Sequence, residues 1–197
     1  MSEWKLFPDG TVPFVSTLGY FSQQPRAPHL DQPHHVPRML MAARFLGAIR
    51  EAGALTFSDL GCGDGGLLSL VQDWFDRSWG YDLQPSSAEG WTERGVTATS
   101  LDVFGADRDR VELGDAVAVT EVLEHVADPH GALAWLHAAG PRWLVASSPQ
   151  NESSLTHGEE HCWAWDKEGY AAMITGAGWG IARHDDCGMF QVVLAER

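Results

Sequence analysis

The chain is short of positive charge, of cysteine and of long apolar runs, and each shortage closes off a class of function. It carries 13 Lys and Arg against 27 Asp and Glu, a formal net charge of −14 over 197 residues. Binding along a phosphate backbone rests on clustered Lys and Arg, so a broad nucleic-acid footprint is not expected. The cysteines, Cys62, Cys162 and Cys187, are odd in number and never spaced as CxxC, which suggests neither a disulfide framework nor a structural zinc knuckle. There is no run of about eighteen apolar residues. The opening MSEWKLFPDG has neither the basic region nor the apolar core of a signal peptide. A cytoplasmic protein without a membrane partner is expected, and its oligomeric state is not legible.

What is present is enough for one core, since 44% of the residues are hydrophobic. Residues 1–37 are rich in Pro and His (Pro8, Pro13, Pro25, Pro28, Pro33, Pro37; His29, His34, His35), which predicts an irregular arm. Solvated loop histidines are the expected reading of that His cluster, with a cap over a pocket as the alternative. In RMLMAARFLGAIREAG the residues Met39, Leu40, Ala43, Phe45, Leu46 and Ile49 recur at helical spacing, and Gly53 is placed to end the helix. Residues 1–53 are therefore read as an arm and lid helix, and residues 54–197 as the main domain.

From Leu55 onward short apolar runs alternate with helical patterns. LTFSDL (55–60), SWGYD (78–82) and GVTATS (95–100) read as strands, and LLSLVQDWF as a helix. AVAVT (116–120) and RWLVASS (142–148) are the most apolar and should lie centrally, buried on both faces. Such alternation means βαβ units, an α/β fold with a mostly parallel sheet and helices on both faces. After a helix in DKEGYAAMITGAG, the runs WGIARH and MFQVVLAE flank a turn-rich DDCG, which predicts an antiparallel hairpin. Trp74, Trp135 and Trp143 are expected in the core.

The first of these strands runs straight into DLGCGDGGLL. Glycines between a strand and a helix let a ligand approach the backbone at the positive helix N-terminus. Gly61, Gly63 and Gly66 also match GxGxxG, so a nicotinamide-dependent oxidoreductase is a rival reading. Three acids separate the two. Asp59, Asp82 and Asp102 each fall at the C-terminal edge of a predicted strand, where they suit a cationic ligand with a ribose and an adenine and would repel a pyrophosphate.

DLGCGDGG, GYDL, LDVF and TEVLEHVADP, in that order, resemble the class I S-adenosylmethionine-dependent methyltransferases over residues 55–197. The resemblance implies a Rossmann-like seven-stranded sheet with an antiparallel last strand, and S-adenosyl-L-methionine as cofactor. It places Asp59, Gly61, Gly63 and Gly65 around the methionine moiety, Asp82 on the ribose hydroxyls, and Asp102 with Val103 at the adenine, with Leu83 and Thr120 beside them.

In TEVLEHVADP, Glu121, Glu124 and His125 stand at i, i+3 and i+4, which would share one face of a helical turn beside the glycine turn. Two oxygens and a nitrogen form part of a site for Mg²⁺ or Mn²⁺, or less readily Fe²⁺ or Zn²⁺. ExxEH, SSPQN and the later HxWxWD resemble the Hen-type RNA 3′-terminal 2′-O-methyltransferases, and an ExLEHxxDP-like stretch is similar to the ubiquinone-biosynthesis O-methyltransferases. By the Hen resemblance the metal ligands would be Glu121, Glu124, His125 and His161. The alternative is that the acids bond backbone N–H groups and His125 serves as base. Trp163 and Trp165 either stack on an aromatic substrate or pack as a hydrophobic staple with Asp166 as N-cap. The expected activity is O-methylation of a small diol, catechol or other hydroxyl, with catalysis by His125, Glu121 and Glu124. An RNA 3′ end, N-methylation of a metabolite and a non-catalytic cofactor-binding module are the alternatives.

Overall fold

The structure, a computed structural model, describes residues 3–7 and 18–197; Pro8 and Pro13 of the expected arm lie outside them. The elements in chain order are β1 (Glu3–Lys5), α1 (Leu18–Phe21), α2 (Val36–Glu51), β2 (Thr56–Leu60), α3 (Gly66–Val71), β3 (Arg77–Asp82), α4 (Ala88–Arg94) and β4 (Ala98–Ser100). They continue as β5 (Ala116–Thr120), α5 (Pro129–Ala139), β6 (Trp143–Pro149), β7 (Trp163–Trp165), α6 (Lys167–Gly176), β8 (Gly180–Cys187) and β9 (Phe190–Glu196). Seven strands form one sheet in the order β4-β3-β2-β5-β6-β9-β8, parallel except for β9, which runs antiparallel to both neighbours. No helix among the described residues is long and apolar enough to cross a membrane.

The sheet separates two apolar layers, as its alternating side chains require. In β5, Ala116 and Ala118 join Phe45, Leu46, Phe57 and Leu67 on the α2–α3 side. Val117 and Val119 join Leu133, Leu136, Tyr170 and Met173 on the α5–α6 side. The chain leaves β2 toward β3 and β4, then returns to place β5 on the other side of β2. The gap between the C-terminal ends of β2 and β5 is thus the topological switch point, where open α/β sheets bind ligands.

Several expected elements are redrawn. The second predicted helix stops at Val71 and continues as a 3₁₀ turn over Gln72–Trp74, which leaves Trp74 42% exposed rather than in the core. Gly95 ends α4 with φ +64°, so β4 is confined to Ala98–Ser100. Asp185, Asp186 and Cys187 pair with Val192, Gln191 and Phe190, which shrinks the hairpin turn to Gly188 and Met189. Acids are tolerated there because β8 is an edge strand with a solvated face. On α2, Leu40 faces solvent, and the buried stripe instead includes Arg38 beside Met39, Ala42 and Phe45.

One pairing had no signal in the sequence: β1 runs antiparallel to β7, tying Glu3–Lys5 to Trp163–Trp165. Trp165 is buried, and its indole packs on Tyr170 at 5.6 Å between ring centroids while Asp166 accepts from the Gly169 N–H at 2.7 Å. Of the two readings offered for this stretch, this is the staple with its N-cap. Trp163 stacks on Trp165 at 6.1 Å.

Candidate functional site

The glycine turn takes its shape from close approaches on one side and open space on the other. Gly61 has φ +78°, and a Cβ there would sit 2.2 Å from Val122 Cγ2. Gly63 has φ +53°, and nothing lies within 4 Å of where its Cβ would be, so its backbone is open to the cavity. Asp82, at the end of β3, braces the turn: its Oδ2 accepts from the Gly63 N–H at 2.8 Å, and its Oδ1 from the Gln84 N–H at 2.7 Å. Burial is the main reason its pKa lies above the ordinary carboxylate value. Gly65 does not face the cavity; it packs on Val96 and Trp91 at the start of α3.

Asp59, on β2, is 1% exposed, and its Oδ1 has no hydrogen-bond partner among the described residues. Burial, then the charge of Asp82, pushes its pKa up to about 7, while Arg38 pulls the other way. A buried carboxylate with an unused oxygen is a receptor for a donor, above all a cationic one. Asp59, Gly61, Gly63, Asp82, Leu83, Asp102, Val103 and Thr120 all border one cavity of about 1240 Å³, and Glu121, Glu124, His125 and His161 border it too. That volume exceeds the roughly 300–1,000 Å³ of an ordinary ligand pocket, leaving room for an acceptor beside a nucleoside cofactor.

TEVLEHVADP is not the first turn of an α-helix. Glu121 lies in the left-handed region at φ +56°, Leu123–His125 form a single 3₁₀ turn, and α5 begins only at Pro129, with Asp128 accepting from the Gly131 N–H at 2.9 Å. The Asp-Pro pair supplies the N-cap and the first helical residue, so the helix starts after the acids rather than on them. The expected i, i+3, i+4 face is therefore replaced by a tighter turn that still brings the groups to one cavity.

Within it, Glu121 Oε1 accepts from Ser147 Oγ at 2.8 Å and lies 4.0 Å from Arg38 Nε. Glu124 is 1% exposed, and neither carboxylate oxygen has a partner among the described residues. Burial, then the neighbouring Glu121, holds its pKa well above the ordinary value. His125 Nδ1 lies 3.0 Å from the Glu160 carbonyl, which only accepts, so this nitrogen carries the proton and Nε2 keeps its lone pair. Burial, then the charge of His161, lowers the His125 pKa to about 4, so the ring is neutral near pH 7. His161 Nδ1 meets Glu152 Oε2 at 2.7 Å, and Glu152 Oε1 accepts from the Gly158 N–H at 3.1 Å. A carboxylate on one imidazole nitrogen orients the ring and makes the other nitrogen a better ligand.

Glu124, His125 and His161 each offer a donor atom within 4.8 Å of the others. A carboxyl group with two unsatisfied, buried oxygens beside two imidazoles fits a divalent cation, which would exchange for the carboxyl proton and give the charged form a partner. Glu121 stands outside this tight group, engaged by Ser147.

The arm borders the cavity as well. The Tyr20 hydroxyl donates to Glu160 Oε1 at 2.8 Å, and Phe21 meets the His125 ring edge to face at 5.5 Å. His29 and His35, expected in solvent, are part-buried on the cavity wall, with burial as the main cause of pKa values near 4 and 3. His34 is the exposed one of the three. Sequence reasoning passed over Glu152, Ser147 and Arg38. The only signal for Arg38 was a lone charge on the apolar stripe of a helix.

The family described as a methyltransferase domain matches residues 34–181. None of the curated proteins matches the sequence. Among solved structures, the N-methyltransferase NodS from Bradyrhizobium japonicum WM9, in complex with S-adenosyl-L-homocysteine, superposes with a TM-score of 0.72 at 15% identity, over 91% of this chain and 96% of its own. Magnesium protoporphyrin IX methyltransferase from Synechocystis PCC 6803, with the same ligand bound, gives 0.68 at 15% identity, over 90% and 91%. The methyltransferase domain of the bacterial CtHen1 gives 0.64 at 19% identity, over 83% of this chain and 100% of its own. At these identities the likeness is one of fold.

Proposed function

The chain belongs to the methyltransferase-domain family of S-adenosylmethionine-dependent class I enzymes, and from that premise we propose that it methylates a hydroxyl oxygen of a small diol or catechol. In this reading Asp59 takes the methionine ammonium, Asp82 the ribose hydroxyls, and Asp102 with Val103 and Leu83 the adenine. Asp82 Oδ1 accepts from the Gln84 N–H and, at 3.5 Å, from the Ser87 hydroxyl, whereas Oδ2 accepts from the Gly63 N–H and retains a lone pair for a ribose hydroxyl. Sulfonium and alkoxide charges cancel in the transition state, so the protein mainly contributes alignment and a dry site. Phe21 and Tyr20 of the arm serve the second purpose over His125.

The observation that carries the metal part is the pair of orphan oxygens on Glu124 next to two imidazoles, each with a donor nitrogen within 4.8 Å of the rest of the group. Glu124, His125 and His161 would hold the ion, with Glu121 adjacent; two nitrogens in the set suit Mn²⁺ better than Mg²⁺. A divalent cation there would lower the pKa of an acceptor hydroxyl and favour an acceptor that offers two adjacent oxygens. His161 and Glu152 keep the ligand set in register, and the neutral His125 avoids repelling a cation.

The test is methyl transfer from S-adenosylmethionine to a panel of catechols and phenols, with EDTA and then Mn²⁺ or Mg²⁺ restored. Transfer to catechols that is lost in EDTA and regained with Mn²⁺ supports the reading. Unchanged rates in EDTA together with an unaffected His161→Ala variant sink the metal half. Preferential stabilisation by NADH over S-adenosylhomocysteine would sink the whole. An RNA 3′ end, also a diol, is a second reading favoured by the same ligand cluster, but the net charge of −14 opposes it. A short RNA is expected not to bind near physiological salt.

A further inference from the structure

Tyr170, on α6, is fully buried, and its hydroxyl finds no hydrogen-bond partner of proper geometry among the described residues. Its ring packs on Trp165 at 5.6 Å and lies 6.4 Å from that of His184, centroid to centroid. Protein interiors leave few hydroxyls unpaired, because each has given up water for nothing in return. Tyr170 does not border the cavity, so no cofactor or acceptor atom reaches it.

The acid that stands nearby is Glu124. Leu123, from the same 3₁₀ turn, lies in one apolar layer with Trp165 and Tyr170, and the Cys162 N–H, just before β7, holds that turn down by donating to the Glu124 carbonyl at 2.6 Å. After burial, the charge of Glu124 and then that of Glu121 hold the Tyr170 pKa well above the ordinary phenol value, while the Ser148 hydroxyl works the other way. The phenol therefore keeps its proton and is a donor. Ser148 is already engaged: its Oγ donates to the Pro149 carbonyl at 3.2 Å and accepts from Gln191 Nε2 at 3.2 Å, and Gln191 Oε1 meets His184 Nε2 at 3.0 Å. A buried donor lacking an acceptor thus stands behind a buried acid whose two oxygens lack a donor.

We propose that Tyr170 is a positioning residue for the metal site, its hydroxyl donating to the Glu124 carboxylate oxygen turned away from the ion. This rests on the reading above that Glu124, with His125 and His161, holds a divalent cation. A ligating carboxylate is held in one orientation by a donor on its other oxygen, and a phenol fixed on a packed helix supplies one. Glu152 orients His161 from the loop, and Tyr170 would orient Glu124 from the α5–α6 layer beneath it. No covalent step is involved.

The test uses Tyr170→Phe, which removes one oxygen and keeps the ring, with Mn²⁺ titrated calorimetrically into the full chain in the presence of S-adenosylhomocysteine. Affinity is expected to fall about 10- to 100-fold. The metal-free variant should melt at or above the wild-type temperature, because the hydroxyl it lacks was unpaired there; a marked drop would mean that the hydroxyl is already satisfied without the ion and overturns the proposal. Raman spectra give a signature that packing alone does not move: the tyrosine doublet, which reports whether a phenol donates, should change when Mn²⁺ is added to the wild type and stay constant in Tyr170→Phe. Lost affinity without that spectral change overturns the proposal, because the hydroxyl then serves packing. Ser148→Ala should leave Mn²⁺ affinity unchanged, and a loss as large as that of Tyr170→Phe would assign the hydroxyl to Ser148 instead. Equal affinity of wild type and Tyr170→Phe overturns the proposal and leaves the metal reading standing, whereas a wild type that binds no Mn²⁺ overturns both.

Discussion

His125 and His161 meet edge to face, with ring centroids 4.8 Å apart and planes at 82°, and each has its Nδ1 engaged, one by the Glu160 carbonyl and the other by Glu152. In the metal reading proposed above, Nε2 would be the nitrogen that each ring offers beside Glu124. Residues 36 positions apart in the chain owe this meeting to the loop after β6 folding back over the 3₁₀ turn, where the Cys162 N–H donates to the Glu124 carbonyl at 2.6 Å.

The metal reading makes a graded prediction. His161→Ala should abolish Mn²⁺ binding in calorimetry. Glu152→Gln removes only the carboxylate that orients His161, so it should weaken binding by about 10- to 100-fold without abolishing it. Equal binding by wild type and Glu152→Gln would show that His161 is held by packing alone.

Asp59 makes the ligand-free protein sensitive to pH. Its folded pKa, about 7, is raised above the ordinary 3.8. Its contribution is therefore fully present below about pH 4 and is lost as the pH rises toward 7, by up to about 4 kcal/mol. The lowered imidazoles of His29 and His35 act oppositely, losing stability as the pH falls below 6.5. Comparing thermal unfolding of wild type with Asp59→Asn isolates the acid: the variant should gain relative stability between pH 4 and 7. A pH-independent difference would refute this.

Gly61 and Gly63 should fail differently. Gly61→Ala drives a methyl to 2.2 Å from Val122 Cγ2 and should cost stability well beyond the roughly 1–2 kcal/mol of the left-handed backbone. Gly63→Ala meets no atom, so its stability cost should stay near that backbone figure while S-adenosylhomocysteine affinity drops. Melting curves and calorimetry on both variants decide it.

Trp165→Ala should cost about 3–5 kcal/mol, since it empties a fully buried site that also staples α6. Cofactor affinity in the folded variant should be unchanged. A selective loss of cofactor binding would instead implicate this tryptophan in the site.

Much of the site was legible because its chemistry is concentrated in short stretches. Asp59 and the glycines sit in one turn, and Asp82 and Asp102 mark the next two strand ends. Glu121, Glu124 and His125 were also readable from one stretch, and His161 from the family resemblance, although the helical face assumed for the first three is a 3₁₀ turn. Asp128 and Pro129 carried the correct signal for where the helix begins, eight residues beyond Glu121. Glu152 and Arg38 were passed over for a common reason. A single acid in a loop and a single charge on a helix have no periodicity, and their significance depends on what stands opposite them.

By itself the sequence determined the α/β alternation, the buried central strands and the glycine turn, because those follow from local hydrophobic period and backbone freedom. The tertiary structure alone decided that β1 pairs with β7, that the arm histidines and Phe21 wall the cavity, and that the Glu124 carboxyl and the Nε and Nη1 of Arg38 are buried without a hydrogen-bond partner among the described residues. Burial and hydrogen-bond satisfaction are properties of neighbours in space. A letter in the chain does not carry them.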